Sequence, residues 1–110
     1  MRMTTSSMNC SRNDVVLLPI PFTDLTSRKV RPAVVIGRNG MDLFLAPITS
    51  HLSNTDFVIK EWQAAGLNVA CGVKAQIATV EERLVVKVVG ALAPGDREVL
   101  DHRLRNWLEL

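Results

Sequence analysis

From Asp14 onward the chain reads as a series of short β-prone runs, each closed by proline, glycine or a polar cluster, and this punctuation is the strongest constraint on its fold. Val15 to Leu18 form the first run, and Pro19 and Pro21, which lack backbone N–H groups, end its pairing and open a loop from Phe22 to Lys29. Pro32 introduces Ala33 to Ile36, which stop at the turn-tolerant residues Gly37, Asn39 and Gly40, so a hairpin is expected with Leu43 to Ile48 as its second arm. Phe57 to Ile59 make another short strand, followed by a helical turn over residues 61–65 capped by Gly66. Val73 to Val80 and Leu84 to Val89 read as a last pair of strands, with Glu81, Glu82 and Arg83 at their turn.

Near the C-terminus the period changes. Pro94 suits a first helical position, Asp96 and Glu98 suit the positive end of a helix, and Arg103 and Arg105 suit its negative end. Leu100, Leu104, Trp107 and Leu108 fall on one face at helical spacing. About five or six short strands followed by one amphipathic helix predict a mainly β fold with a C-terminal α-helix, an SH3-like barrel or a similar small roll.

At 110 residues, with 47% hydrophobic and 22% charged residues, the chain has material for one core and does not have the polar bias of a disordered one. Residues 13–110 are therefore read as a single domain, and residues 1–12 as a disordered polar leader without the apolar stretch of a signal peptide. No run approaches the ~20 apolar residues that span a bilayer. Cys10 falls in that leader and Cys71 in the domain, so a reduced, cytoplasmic chain is expected. A net charge of +2 decides nothing about nucleic acid, because local clustering of Lys and Arg matters more than the total.

Absent motifs narrow the chemistry. There is no His-Cys cluster with zinc spacing, no glycine-rich phosphate loop and no Gly-x-Ser-x-Gly elbow, so neither a metal nor a nucleotide cofactor is expected. Polar residues do converge at strand ends: Arg31 precedes the apolar run of the second strand, and Thr49, Ser50 and His51 follow that of the third. In an antiparallel hairpin the start of one arm lies beside the end of the other, which makes these four residues neighbours. An arginine beside hydroxyls suits a phosphodiester, since the guanidinium holds two phosphate oxygens and stabilises the charge that grows on phosphorus. Arg28 and Lys29 add a small basic cluster on the loop, and Lys74 is a further basic candidate for phosphate contact. The bland alternatives are a solvated loop tip, an Arg31 pair with a loop carboxylate such as Asp24, and ordinary strand-end hydroxyls.

Asn13 to Val16, Pro19 to Thr26 and Arg31 to Ile36, then Ala46 to Ser50, then Gly90 to Leu92 before the last helix, resemble in order and spacing the MazF/PemK toxins of type II toxin-antitoxin systems. The resemblance spans Asn13 to Leu110. It implies a metal-independent, sequence-specific endoribonuclease that cuts single-stranded RNA by attack of the 2′-hydroxyl, leaving a 2′,3′-cyclic phosphate and a 5′-hydroxyl. On matching positions Arg31 would be the principal catalytic residue and Thr49 its partner, with Arg28, Lys29, Ser50, His51 and Lys74 as RNA-binding candidates. It further implies a homodimer, a cognate antitoxin, and contact with DNA only through that antitoxin.

Three departures stand out. Asn13 replaces the usual glycine, His51 replaces a common Gln or Asn and brings a group able to transfer protons near neutral pH, and the segment Lys74, Ala75, Gln76, Ile77 has no counterpart of the family's Asp. Two rival readings follow: a gyrase-binding poison on the same barrel, resembling CcdB, in which Trp107 would be the contact residue, and an inactive barrel that binds RNA or antitoxin without cutting.

Overall fold

The computed structural model describes residues 9–19 and 29–110; the expected Phe22 to Lys29 loop, with Arg28, falls outside them except for Lys29. Seven strands are described: β1 Asp14–Pro19, β2 Val30–Asn39, β3 Asp42–Thr49, β4 Phe57–Val58, β5 Gly72–Val73, β6 Ala78–Glu81 and β7 Lys87–Ala91, with the helix α1 at Pro94–Leu108. They form an antiparallel sheet in the order β4-β5-β3-β2-β1-β7, with β6 also on β3. The sheet curls without closing, the barrel-like roll with a C-terminal helix that the alternating pattern implied.

Alternation along β1 and β2 explains the two packed faces. Val15 and Val34, with Ala46 of β3, face Leu100 and Leu104 of α1 in one buried cluster. Their neighbours Val16, Ala33 and Val35 face the other way, joining Leu18, Leu43 and Leu45 in a second. Each such aliphatic side chain stabilises the fold by roughly 1.5–3 kcal/mol when fully buried. The prolines stand where the ladders are interrupted: β3 pairing with β2 reaches only Ala33–Pro47, and Pro47 lies between the β6 partners, which end at Leu45, and the β5 partners, which begin at Ile48.

The hairpin is longer than its sequence suggests. Gly37 does not end β2 but follows a bulge in which Ile36 is the extra residue, and the strand continues to Asn39 before turning at Gly40. The expected last hairpin does not form. β6 pairs with β3 and β7 with β1, on opposite sides of the sheet, and the 3-10 turn Glu82–Leu84 carries the chain between them. Its direction is set by Val86, whose N–H donates to Leu17 O at 2.8 Å. The turn before Gly66 does form, with Ala65 N–H donating to Glu61 O and Gly66 at φ 91°.

The helix begins with Pro94 in its first turn and ends at Glu109 in the left-handed region. Asp96 does more than complement the helix dipole: it is 2% exposed and accepts N–H groups of Lys60 and Glu61 at 3.0 and 2.9 Å, tying α1 to the segment after β4. Leu100 and Leu104 are buried as expected, whereas Leu108 is 53% exposed and lines an open groove with Ile36 and Phe44.

Cys10, expected in the polar leader, has a fixed place in the structure. It is buried, its N–H donates to Glu82 Oε2 at 2.9 Å, and its carbonyl accepts from Arg38. Arg38 also grips both carboxylate oxygens of Glu82, at 2.8 and 3.1 Å. The Arg38 hydrogen bonds hold the Glu82 carboxyl below its ordinary range, against the upward push of burial. Burial first, then Glu82, pushes the Cys10 thiol up to about 11, which keeps it protonated. Because the folded-state pKa of Glu82 is depressed, its contribution is complete above the ordinary carboxylate pKa and is lost as pH falls through the lower folded value. Glu82→Gln is therefore expected to lower the urea midpoint at pH 7, and the gap from the parent to narrow below about pH 4. Urea titrations of both proteins across that range check this.

Candidate functional site

The β2–β3 register sets the geometry. Ala33 lies opposite Pro47 and Val34 opposite Ala46, so continuing the same register by two residues brings Arg31 level with Thr49. Arg31 is also fixed from the other edge, opposite Leu18 of β1. Both residues line one groove of about 380 Å³, together with Lys29, Ser50 and His51. The structure thus gathers five of the seven sequence-predicted site residues. Arg28 lies outside the described residues, and Lys74 does not border the groove: it follows β5, where its N–H donates to Pro47 O at 2.9 Å.

Local chemistry orients the hydroxyl. Thr49 Oγ1 accepts the backbone N–H of His51 at 3.1 Å, a serine/threonine turn that leaves the hydroxyl proton to be donated elsewhere. Arg31 is exposed, and among the described residues no carboxylate pairs with it. A guanidinium without a carboxylate partner keeps its donors for an anion. No Asp or Glu is among the described residues lining the groove, whose described lining includes Lys29 and Arg31.

The same groove has an apolar wall that the sequence did not reveal. Gly66, Leu67, Asn68 and Val69 line the groove with Leu17, Ile48, Cys71 and Val89. Gly66 was legible as a turn residue, but nothing in its neighbours marked them as bordering Arg31. The wall is brought there by a backbone contact: a Cβ on Gly66 would stand 2.2 Å from Val89 O, and one on Gly90 would stand 2.4 Å from Ala65 O. Burial pushes the Cys71 thiol up from its ordinary value, so it lines the groove as a neutral group. Among the described residues no cluster of three or more His, Cys, Asp or Glu gathers as a metal site, and no helix is long and apolar enough to cross a membrane.

This polar edge and apolar wall sit on a fold shared with known proteins. An endoribonuclease in complex with its cognate antitoxin, from a mycobacterial species, superposes with a TM-score of 0.68 at 16% identity, covering 94% of this chain and 97% of its own. The Mycobacterium tuberculosis toxin MazF-mt6 superposes with a TM-score of 0.70 at 17% identity, over 88% of this chain and 97% of its own. Comparison with curated protein sequences gives no match. The family model of PemK-like, MazF-like toxins of type II toxin-antitoxin systems matches residues 11–108. Nearly the whole described domain lies within that match, and the chain belongs to this toxin family.

Proposed function

We propose that the chain is a toxin that cuts single-stranded RNA at specific sequences, with no metal ion in the reaction. The carrying observation is the shared groove of Arg31 and Thr49, with Lys29 at its edge and no carboxylate among its described lining residues. In this reading Arg31 holds two non-bridging phosphate oxygens and stabilises the charge of the pentacovalent phosphorus, while the Thr49 hydroxyl donates to a phosphate oxygen. The nucleophile belongs to the substrate: the 2′-hydroxyl attacks the adjacent phosphorus, the P–O5′ bond breaks, and a 2′,3′-cyclic phosphate and a 5′-hydroxyl result. Alignment of that intramolecular attack is the groove's main contribution. Lys29, Ser50 and His51 serve RNA binding along the same edge, and Arg28 remains an RNA-binding candidate from the sequence.

The test is incubation with a long mixed-sequence RNA and with DNA of the same sequence, both in EDTA. RNA is expected to be cut at discrete sites, with 5′-hydroxyl ends that a polynucleotide kinase labels directly, and DNA to survive. Intact RNA at high protein concentration would overturn the reading.

The toxin reading carries partners with it. One mycobacterial neighbour is described in complex with its cognate antitoxin, and a cognate antitoxin for this chain would inhibit it by covering the Arg31 groove, reaching DNA only through that protein. Its setting would be the cytoplasm, where RNA is. A homodimer would use a second, larger groove of about 500 Å³ beside α1, where Ile36, Phe44 and Ile77 meet Leu104, Leu108 and Leu110. An observation that weighs against the gyrase-binding alternative is that Trp107 packs against the core and its indole N–H donates to Asp56 Oδ2 at 3.0 Å.

A further inference from the structure

The proposed cleavage needs a proton at its end as well as a nucleophile at its start. An RNA 5′-alkoxide is a poor leaving group until it is protonated, and a positioned acid contributes typically 10²–10⁴-fold to such steps. The described lining of the groove offers few groups to supply that proton. In this reading Arg31 and Thr49 are engaged with the phosphate oxygens, and the Ser50 hydroxyl is a weak acid by its chemical type. The Cys71 thiol is pushed further from neutrality by burial. No carboxylate borders the groove among the described residues.

His51 remains. It is exposed, it lines the groove with Arg31 and Thr49, and its backbone N–H holds Thr49 Oγ1, so its Cα is fixed relative to the hydroxyl beside the phosphate. Histidine is the side chain type that changes charge between roughly pH 5 and 8, so it can be charged before transfer and neutral after it. We propose that His51 is the general acid of the reaction: its imidazolium donates a proton to O5′ as the P–O5′ bond breaks.

The step balances within this groove. The 2′-oxygen forms a bond to phosphorus and passes its proton to a non-bridging phosphate oxygen, then to water. The electron pair of the P–O5′ bond goes to O5′, which takes the imidazole proton and leaves as a neutral hydroxyl. His51 is reprotonated from solvent, to which it is exposed. This assignment rests on the RNA-cleavage reading and adds a role that neither Arg31 nor Thr49 fills.

The test uses the full chain and its His51→Ala and His51→Gln variants on a short RNA containing one mapped cleavage site, and on the same RNA with sulfur replacing O5′ at that site. A thiolate leaves without protonation, so loss of a general acid is rescued by the sulfur substrate, whereas loss of binding or fold is not. At protein concentrations that saturate the RNA, so that weaker binding does not lower the rate, the expected result is a fall of about 10²–10³-fold on the oxygen substrate for both variants, with rates within a few-fold of the parent on the sulfur substrate. Thermal midpoints should stay near the parent's, because the Thr49 contact uses the His51 backbone and not its side chain. Equal loss on both substrates, or undiminished cleavage of the oxygen substrate by the variants, would overturn the acid role alone. A parent protein that cuts no RNA would overturn the function beneath it as well.

Discussion

Arg31→Ala is expected to reduce RNA cleavage by about 10²–10³-fold, roughly 2.7–4 kcal/mol of transition-state stabilisation, with no loss of fold. The reasoning begins with exposure. Arg31 sits at the rim of the groove, no carboxylate among the described residues pairs with it, and a surface change of this kind moves stability by about 0.5 kcal/mol or less. The large term must therefore appear in kinetics. Because the extra negative charge develops only as phosphorus becomes pentacovalent, kcat should fall more than KM rises. Arg31→Lys keeps a positive charge but loses the planar fork, and only part of the rate should return. Single-turnover cleavage of a mapped RNA, with urea unfolding of each variant, measures both sides. Activity of Arg31→Ala within a few-fold of the parent would remove the guanidinium from the chemistry.

Why Arg31 and Thr49 could be paired from sequence, while other features could not, is a question of range. The hairpin is local: Gly40 permits its turn, the two arms are apolar, and antiparallel pairing then makes the start of β2 and the end of β3 neighbours. The same logic failed for β6 and β7, because a short strand carries no mark of which distant edge it joins, and β3 and β1 claimed them separately. β5 has two residues, too few to show a period, so nothing in the sequence marks that Lys74, just after it, does not border the groove. Buried carboxylates are the extreme case. Glu82 and Asp96 look like surface residues until Arg38 and Cys10, or the N–H groups of Lys60 and Glu61, arrive from segments far along the chain. The barrel-like class and its terminal helix were legible because period and turn chemistry are local; the groove's apolar wall was not.

That wall supplies the second large effect. Gly66→Ala is expected to destabilise the fold by about 3–5 kcal/mol, against about 1–2 for Gly40→Ala and a neutral or slightly stabilising result for Gly95→Ala. All three changes add one methyl group, so the differences isolate backbone geometry. Gly95 has open space around its missing Cβ and no positive φ, and alanine is the better helix former there. Gly40, at φ 63°, also has open space, so alanine meets only the left-handed penalty. Gly66 combines φ 91° with a Cβ position 2.2 Å from Val89 O, and that carbonyl belongs to β7, whose pairing with β1 shifts register at the same residue. Retreat is blocked in return, since Gly90 already lets Ala65 O approach to 2.4 Å from where its own Cβ would be. Urea midpoints of the three variants give the ranking. The RNA assay adds a consequence: residues Leu67, Asn68 and Val69 follow directly from this contact, so Gly66→Ala should displace the apolar wall and weaken cleavage even in the fraction that remains folded. A Gly66→Ala protein as stable as Gly40→Ala would mean that the β7 backbone can yield, and that the wall is not fixed by the two glycines.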